Sequence, residues 1–179
     1  MQRIAYGVFA VWAMSGCAGS AEEEGASQNE SALNRAATPD VVLRDFPFSE
    51  ALSAGSYTQR ALSAYTCGDR RAHVAPERVY QIEVAEDGLL AVEAPSGVDV
   101  YVARTTNFSD CVRGGAAQAA VWLPRGRYYV SLDSRAQAAR GSGEVKLGLT
   151  TPSALVEEGM SLDVARRGLQ AFSVAYAKG

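Results

Sequence analysis

From Val41 onward, apolar and polar residues alternate with a period of two in short runs broken by Gly, Pro and Asp, which is the pattern of half-buried antiparallel strands. The clearest run is Val79 to Val84, where Tyr80, Ile82 and Val84 share one face and Gln81 and Glu83 the other. Glu86-Asp87-Gly88 makes a turn, Leu89 to Ala94 form the return strand, and Pro95-Ser96-Gly97 turns the chain again. Val98, Val100 and Val102 then line one side of a third strand. A second pair follows, Ala120 to Leu123 and Arg127 to Asp133 around Pro124-Arg125-Gly126, and a last strand uses Val145, Leu147 and Leu149. With Val41 to Leu43 and Ser56 to Tyr65, about seven or eight short strands are expected, the signature of a sandwich in which each sheet hides one face.

The period changes near the end of the chain. Leu162, Ala165, Leu169, Phe172 and Tyr176 recur at helical spacing behind a potential cap at Ser161, and Gly179 stands where a helix stop belongs. A helix over Leu162 to Lys178 is predicted, packed on the sandwich or on a loop beneath it.

The N-terminal region has neither pattern. Arg3 and the apolar run Ile4 to Ala13 form a secretory leader, and Met14-Ser15-Gly16-Cys17 supplies the small residues before a Cys that a lipoprotein signal peptidase needs. The run to Gly19 falls short of the roughly 20 residues that cross a bilayer. Cleavage after Gly16 would leave Cys17 as the acylated N-terminus, and several acyl chains anchor a protein stably where one does not. Ala18 follows in place of Asp, as in similar lipoproteins that go on to the outer membrane, so an outer-membrane lipid-anchored protein, periplasmic or surface-exposed, is expected. Ala18 to Asp40 is rich in Ala, Ser, Gly and Glu with one Leu and no aromatic residue, and cannot bury enough surface to fold. It reads as a flexible tether holding the domain roughly 25 Å from the lipid.

The organisation is thus residues 1–16 signal peptide, 17–40 disordered acidic tether, 41–152 β-sandwich and 153–179 C-terminal helical segment. Seventeen basic against 20 acidic residues give a net charge of −3. Loss of Arg3 with the leader takes the remainder to −4, without the electrostatic footprint that nucleic acid requires. Arg70-Arg71 and Arg166-Arg167 are too small to supply one. Of the three cysteines, Cys17 goes to the lipid, which leaves Cys67 and Cys111 to pair in the oxidising compartment that export implies. Closing that loop of about 45 residues would stabilise the fold by ~4 kcal/mol. The competing reading, Cys67 as a nucleophile with His73 as its base, strands Cys111 and lies in no catalytic motif. One His and two Cys also fall short of a zinc site.

The succession Thr66-Cys67-Gly68, Ala75-Pro76-Glu77-Arg78-Val79-Tyr80, Val98-Asp99-Val100-Tyr101-Val102, Cys111 and Leu123-Pro124-Arg125-Gly126-Arg127-Tyr128-Tyr129-Val130-Ser131-Leu132-Asp133 resembles the bacterial pre-peptidase C-terminal type of domain over about residues 55 to 150. The resemblance implies a mostly β, antiparallel jelly-roll-like β-sandwich, appended to secreted enzymes and surface proteins and without catalysis of its own. Many such domains carry an Asp-rich stretch after the second Cys that holds calcium; here it reads Val112-Arg113-Gly114-Gly115-Ala116-Ala117, with no acid. No metal and no cofactor are therefore expected, and Asp99, Asp110 and Asp133 read as turn and solvent-face residues. The C-terminal helix is similar to the one preceding the catalytic domain of murein L,D-transpeptidase-like proteins, a domain that needs a Cys and a His beyond Gly179.

The remaining candidate chemistry is sparse. Asn107-Phe108-Ser109 fits a glycosylation pattern but reads better as a turn. Trp122, Tyr128 and Tyr129 are aromatic candidates, of which Trp122 and Tyr129 would form an exposed face for sugar or peptide, against the blander reading of core residues with one exposed partner. No catalytic set is found and the chain is not expected to be an enzyme. Three readings remain open: a lipid-anchored noncatalytic binding or accessory module that engages an envelope protein, a peptide or a glycan; the noncatalytic front part of a truncated envelope enzyme; and a purely structural envelope lipoprotein.

Overall fold

The computed structural model describes residues 35–67, 75–133 and 142–178. The leader, the acylation candidate Cys17, the tether as far as residue 34, Arg70-Arg71, His73 and Gly179 lie outside the described residues.

Among the described residues, nine strands form two sheets: β1 (Val41–Leu43), β2 (Phe48–Leu52), β3 (Arg78–Val84), β4 (Gly88–Glu93), β5 (Asp99–Ala103), β6 (Cys111–Ala116), β7 (Gln118–Leu123), β8 (Gly126–Asp133) and β9 (Gly143–Thr150). One sheet has the order β1-β3-β8-β5-β6, the other β2-β9-β4-β7. Without β1, the orders 3-8-5-6 and 2-9-4-7 are those of a jelly roll built from two Greek keys. β1 is added to it in parallel with β3, Val41 opposite Tyr80. The expected mostly β sandwich with a C-terminal helix is therefore the observed architecture.

Alternation explains the core. Tyr80, Ile82 and Val84, Val100 and Val102, and Val130 and Leu132 point from the first sheet onto Leu90 and Val92, Val121 and Leu123, and Val145 and Leu147 of the second. The connectivity differs from the expected hairpins. Leu89 to Ala94 is no return strand of β3: β4 pairs with β7 and β9, while β3 pairs with β8. Likewise β7 and β8 are consecutive in sequence but belong to different sheets. From β2 to β9, β5–β6 is the one connection that stays within a sheet. Crossing between sheets lets each strand bury one apolar face against strands distant in sequence.

Two further differences follow from burial. Residues 56–65 form no ladder strand; after a 3-10 turn at Ala54–Ser56 the segment makes a single bridge, Gln59 opposite Glu77. It covers the outer face of the first sheet, where Leu62 and Tyr65 join Val79, Tyr101, Ala103 and Phe108 in a second buried cluster. Ala37 joins the same cluster, and Asp40 accepts from the Val79 N–H at 2.7 Å and from Thr58 Oγ1 at 2.7 Å, so the folded part begins before the expected boundary at residue 40.

Helix α1 (Pro152–Glu157) is capped by Thr151, whose side chain accepts from the Ala154 N–H, and ends in a Schellman turn. There Gly159 adopts φ 97°, its N–H reaches Val156 O at 2.9 Å, and the Met160 N–H reaches Leu155 O at 3.1 Å. Helix α2 (Leu162–Lys178) has the predicted limits. Its packed face is Ala165, Leu169, Ser173 and Tyr176, whereas Leu162 and Phe172 of the expected stripe are exposed. The helix lies along β7, an edge of the four-stranded sheet, and Ser173 Oγ accepts from the Trp122 N–H at 2.9 Å. A helix that closes a strand edge satisfies polar backbone as well as burying apolar surface, so a narrow, partly polar face suffices.

Candidate binding face

Cys67 and Cys111 are joined in a disulfide with Cα atoms 5.5 Å apart, and both sulfur-bearing residues pack against the second buried cluster. The bond ties the covering segment to the start of β6. Beneath it, Tyr65 lies flat on Tyr101, ring centroids 3.6 Å apart and planes within 2°, with Phe108 edge-on at 5.5 Å. The Tyr65 hydroxyl donates to Asp133 Oδ2 at 2.6 Å and lies 3.0 Å from Ser131 Oγ. Burial, reinforced by the Asp133 carboxylate, pushes the Tyr65 phenol well above its ordinary range. Asp133 is fully buried rather than a solvent-face residue, while Asp110 stays exposed and meets Arg104 at 3.4 Å. The Asn107-Phe108-Ser109 segment is a turn, Asn107 Oδ1 accepting from the Ser109 N–H and hydroxyl at 3.2 and 2.8 Å. Phe108 takes φ 54° there and buries its ring.

In the stretch Val112 to Ala117, residues 111–116 belong to strand β6, and Gly114 lies opposite Tyr101 of β5. A Cβ on Gly114 would fall 2.2 Å from Tyr101 Cδ1, so this glycine is what lets the ring lie over the strand. Among the described residues no three His, Cys, Asp or Glu side chains cluster as a metal site.

Two more carboxylates serve the fold, Glu50 partly buried and Glu77 fully buried. Glu50 of β2 faces inward and receives Arg78 through two bonds, Nη2 to Oε1 at 2.6 Å and Nε to Oε2 at 3.2 Å, plus the Tyr80 hydroxyl at 2.8 Å. Burial and the Glu50 hydrogen bond both drive the Tyr80 phenol upward. Glu77 accepts from the N–H groups of Ala61 and Leu62 at 2.6 and 3.0 Å through Oε1, while its Oε2 is buried without a partner. Desolvation raises its pKa above the ordinary 4.5, against the pull of those backbone donors. Tyr65, Asp133, Glu50, Arg78 and Glu77 are thus engaged inside the domain, and none of them lines the groove over β2, β9 and β4.

Trp122 and Tyr129 do not make a common face. Trp122 lies in the four-stranded sheet opposite Leu89, beneath α2, and Tyr129 lies in the five-stranded sheet opposite Gln81, against the disulfide cluster. The surface that is open lies elsewhere. Helix α2 covers the β7 side of the four-stranded sheet, and on the other side a groove of about 380 Å³ runs over β2, β9 and β4. Its floor includes Ala91 and Gly148, and a Cβ at Gly148 would meet nothing within 4 Å. Glu93, Glu144 and Lys146 stand around it, with Lys146 3.4 Å from Glu144. Sequence reasoning missed this groove because its floor is made of small residues and backbone, and strand β2 itself was not foreseen.

No family model and no curated protein matches the chain. Among solved structures, the chain is similar to the pre-peptidase C-terminal domain of the collagenase of Bacillus anthracis, with a TM-score of 0.38 and 13% identity over 64% of this chain and 98% of that domain.

Proposed function

We propose that the chain is a noncatalytic binding or accessory module of the bacterial envelope, lipid-anchored through Cys17, which uses the groove over β2, β9 and β4 to hold a segment of an envelope protein. The groove carries the reading: it is an open, largely apolar surface floored by small residues, in a domain whose inward-facing ionisable groups are committed to structure. A polypeptide suits it better than a glycan, because an apolar floor with carboxylates at the rim accommodates aliphatic and basic side chains, whereas sugars need a flat aromatic platform and many hydrogen-bonding groups. The aromatic residue that lines the groove, Phe48, packs edge-on against Tyr80 of the core, and Trp122 lies in β7, whose backbone N–H at that residue is bonded to Ser173 of α2. The N-terminal sequence supports the anchor through Ser15-Gly16-Cys17 behind an apolar run.

Two measurements test the reading. Intact mass of the protein extracted from its native membranes should correspond to acylated residues 17–179, gaining two hydrogens on reduction; an unmodified Cys17 would refute the anchor. Affinity capture from solubilised envelopes should recover a protein with the wild-type chain and lose it with Gly148→Leu, which fills the groove without steric conflict at the position of the new Cβ. Equal recovery with both chains would refute the groove as the binding face.

A further inference from the structure

The outward-facing residues of the four-stranded sheet fall into rows that run across the strands, as a pleated ladder requires. One row is Ser49, Lys146, Glu93 and Gln118, each opposite the next in the register of β2, β9, β4 and β7. The row beside it is Gly148, Ala91 and Ala120 on β9, β4 and β7. The floor of the groove is therefore a line of small residues laid across the sheet, and the first row is a polar wall along it. Helix α2 closes this line at β7. Ser173 accepts from the Trp122 N–H, the Tyr176 hydroxyl donates to Gln118 Oε1 at 3.3 Å, and Ala120, between those two strand positions, is buried. The opposite end is lined by Pro47 and Phe48.

The wall carries an uneven charge. Lys146 meets Glu144 at 3.4 Å, two positions along its own strand and on the side away from Gly148. Glu93 stands opposite Lys146 in the ladder but meets no cation among the described residues. Two carboxylates and one ammonium thus line the groove, and the uncompensated negative charge belongs to Glu93, the outward neighbour of Ala91 on β4. From β2 to β4 the groove crosses two interstrand spacings, about 10 Å. An extended chain advances about 3.3–3.6 Å per residue, so about three residues fit across it.

We infer that the groove selects a basic polypeptide segment: a short extended stretch lying across β2, β9 and β4, with small or aliphatic side chains on Gly148 and Ala91 and a lysine or arginine side chain on Glu93. The inference rests on the reading of the groove as the binding face and adds what that face distinguishes. Small floor residues let the backbone of the segment come close to the sheet, and its aliphatic side chains lose water against Ala91, Pro47 and Phe48. Lys146 opposes the choice of an acidic segment less than Glu93 and Glu144 favour a basic one, because its own charge is already met by Glu144. Glu93 is therefore the residue that reads charge, and the Gly148–Ala91 row is the part that reads size.

The test selects random phage-displayed peptides on the full chain in detergent, with counter-selection on Gly148→Leu and, separately, on Ala91→Leu, which fill the floor row from β9 and from β4. Near-UV circular dichroism matching the parent shows that each variant is folded before it is used. Peptides that bind the parent and neither variant should carry Lys or Arg close to Ala, Val, Ile or Leu. Made synthetically, they should bind Glu93→Gln about two- to fivefold more weakly, the weight of an exposed ion pair, and the difference should vanish in about 1 M salt. Floor-dependent peptides without basic residues, or equal affinity for the parent and Glu93→Gln, would overturn the inference and leave the groove standing as a binding face. A selection in which no peptide responds to Gly148→Leu or Ala91→Leu would defeat the groove itself, and the inference with it.

Discussion

Replacement of Gly114 by Ala should destabilise the domain through a single identifiable clash. The added Cβ would stand 2.2, 2.8 and 3.0 Å from Cδ1, Cε1 and Cγ of Tyr101, where carbon atoms normally keep about 3.5 to 4 Å. The ring has nowhere to go. It is stacked on Tyr65 at 3.6 Å, and Tyr65 is held by its 2.6 Å bond to Asp133 in a fully buried site. Overpacking of this kind costs about 1–3 kcal/mol, and the rigid stack puts Gly114→Ala towards the upper part of that range. Reduced freedom of the unfolded chain returns about 0.4–1 kcal/mol. The net loss expected is about 2 kcal/mol, or a melting temperature lower by roughly 8 °C for a domain of this size. Thermal and urea unfolding of the oxidised protein, followed by near-UV circular dichroism, measures it. A variant as stable as the parent would refute the argument. A double-mutant cycle isolates the cause: in a Tyr101→Leu background Gly114→Ala should cost little, and an undiminished cost there would show that the ring is not responsible.

Reduction of Cys67–Cys111, or replacement of both by Ala, removes a link across 44 residues and should lower stability by about 4 kcal/mol in the chain-entropy description, read as a urea midpoint with and without reductant. Tyr65→Phe removes a hydrogen bond to a buried carboxylate and should cost about 1.5–3 kcal/mol by the same assay; an unchanged midpoint would mean that Asp133 finds another donor in that space. Glu77→Gln should alter the pH dependence of stability. The folded-state pKa of Glu77 lies above its unfolded value, so its favourable contribution is complete below about pH 4.5 and is lost as pH rises through the folded-state value. The stability of Glu77→Gln relative to the parent should therefore increase with pH above 4.5, and a constant difference from pH 4 to pH 8 would contradict that sign.

Strand positions were legible where one face is buried and the other is wet. β3, β4, β7, β8 and β9 begin and end within a residue or two of the runs of alternation, and β1 matches at both ends. Strand β2 escaped because its inward face reads Phe48, Glu50, Leu52, and an acid at an inward position breaks the pattern unless Arg78 and Tyr80 are already known to meet it. β6 escaped because Gly114 and Gly115 read as a loop, although the first of them makes room for a ring. Pairing was less legible than position. Alternation tells which residues share a face but not which sheet the face belongs to, and a short turn such as Pro124-Arg125 serves a crossing between sheets as well as a hairpin.

The same limit governs the candidate binding face. Trp122 and Tyr129 are seven residues apart in adjoining strands and look like neighbours, yet the crossing between β7 and β8 sends them to opposite sides of the sandwich. What separates an exposed sheet face from a covered one is decided by segments without strand periodicity: residues 56–67 over the first sheet and α2 beside the second. The first of these is held by Glu77, which supplies the acceptor that two backbone N–H groups would otherwise find in a ladder, and by the disulfide. A charged residue written into a strand end reads as solvent-facing, so both cover and clasp are invisible to periodicity. The groove is the complement of these covers. It exists because α2 follows the β7 edge and leaves β2, β9 and the far side of β4 bare, with Ala91 and Gly148 keeping that floor low. Larger side chains at those two positions would close the surface without disturbing the core, which makes the smallness of residues 91 and 148, rather than any aromatic pair, the feature on which the proposed recognition there would depend.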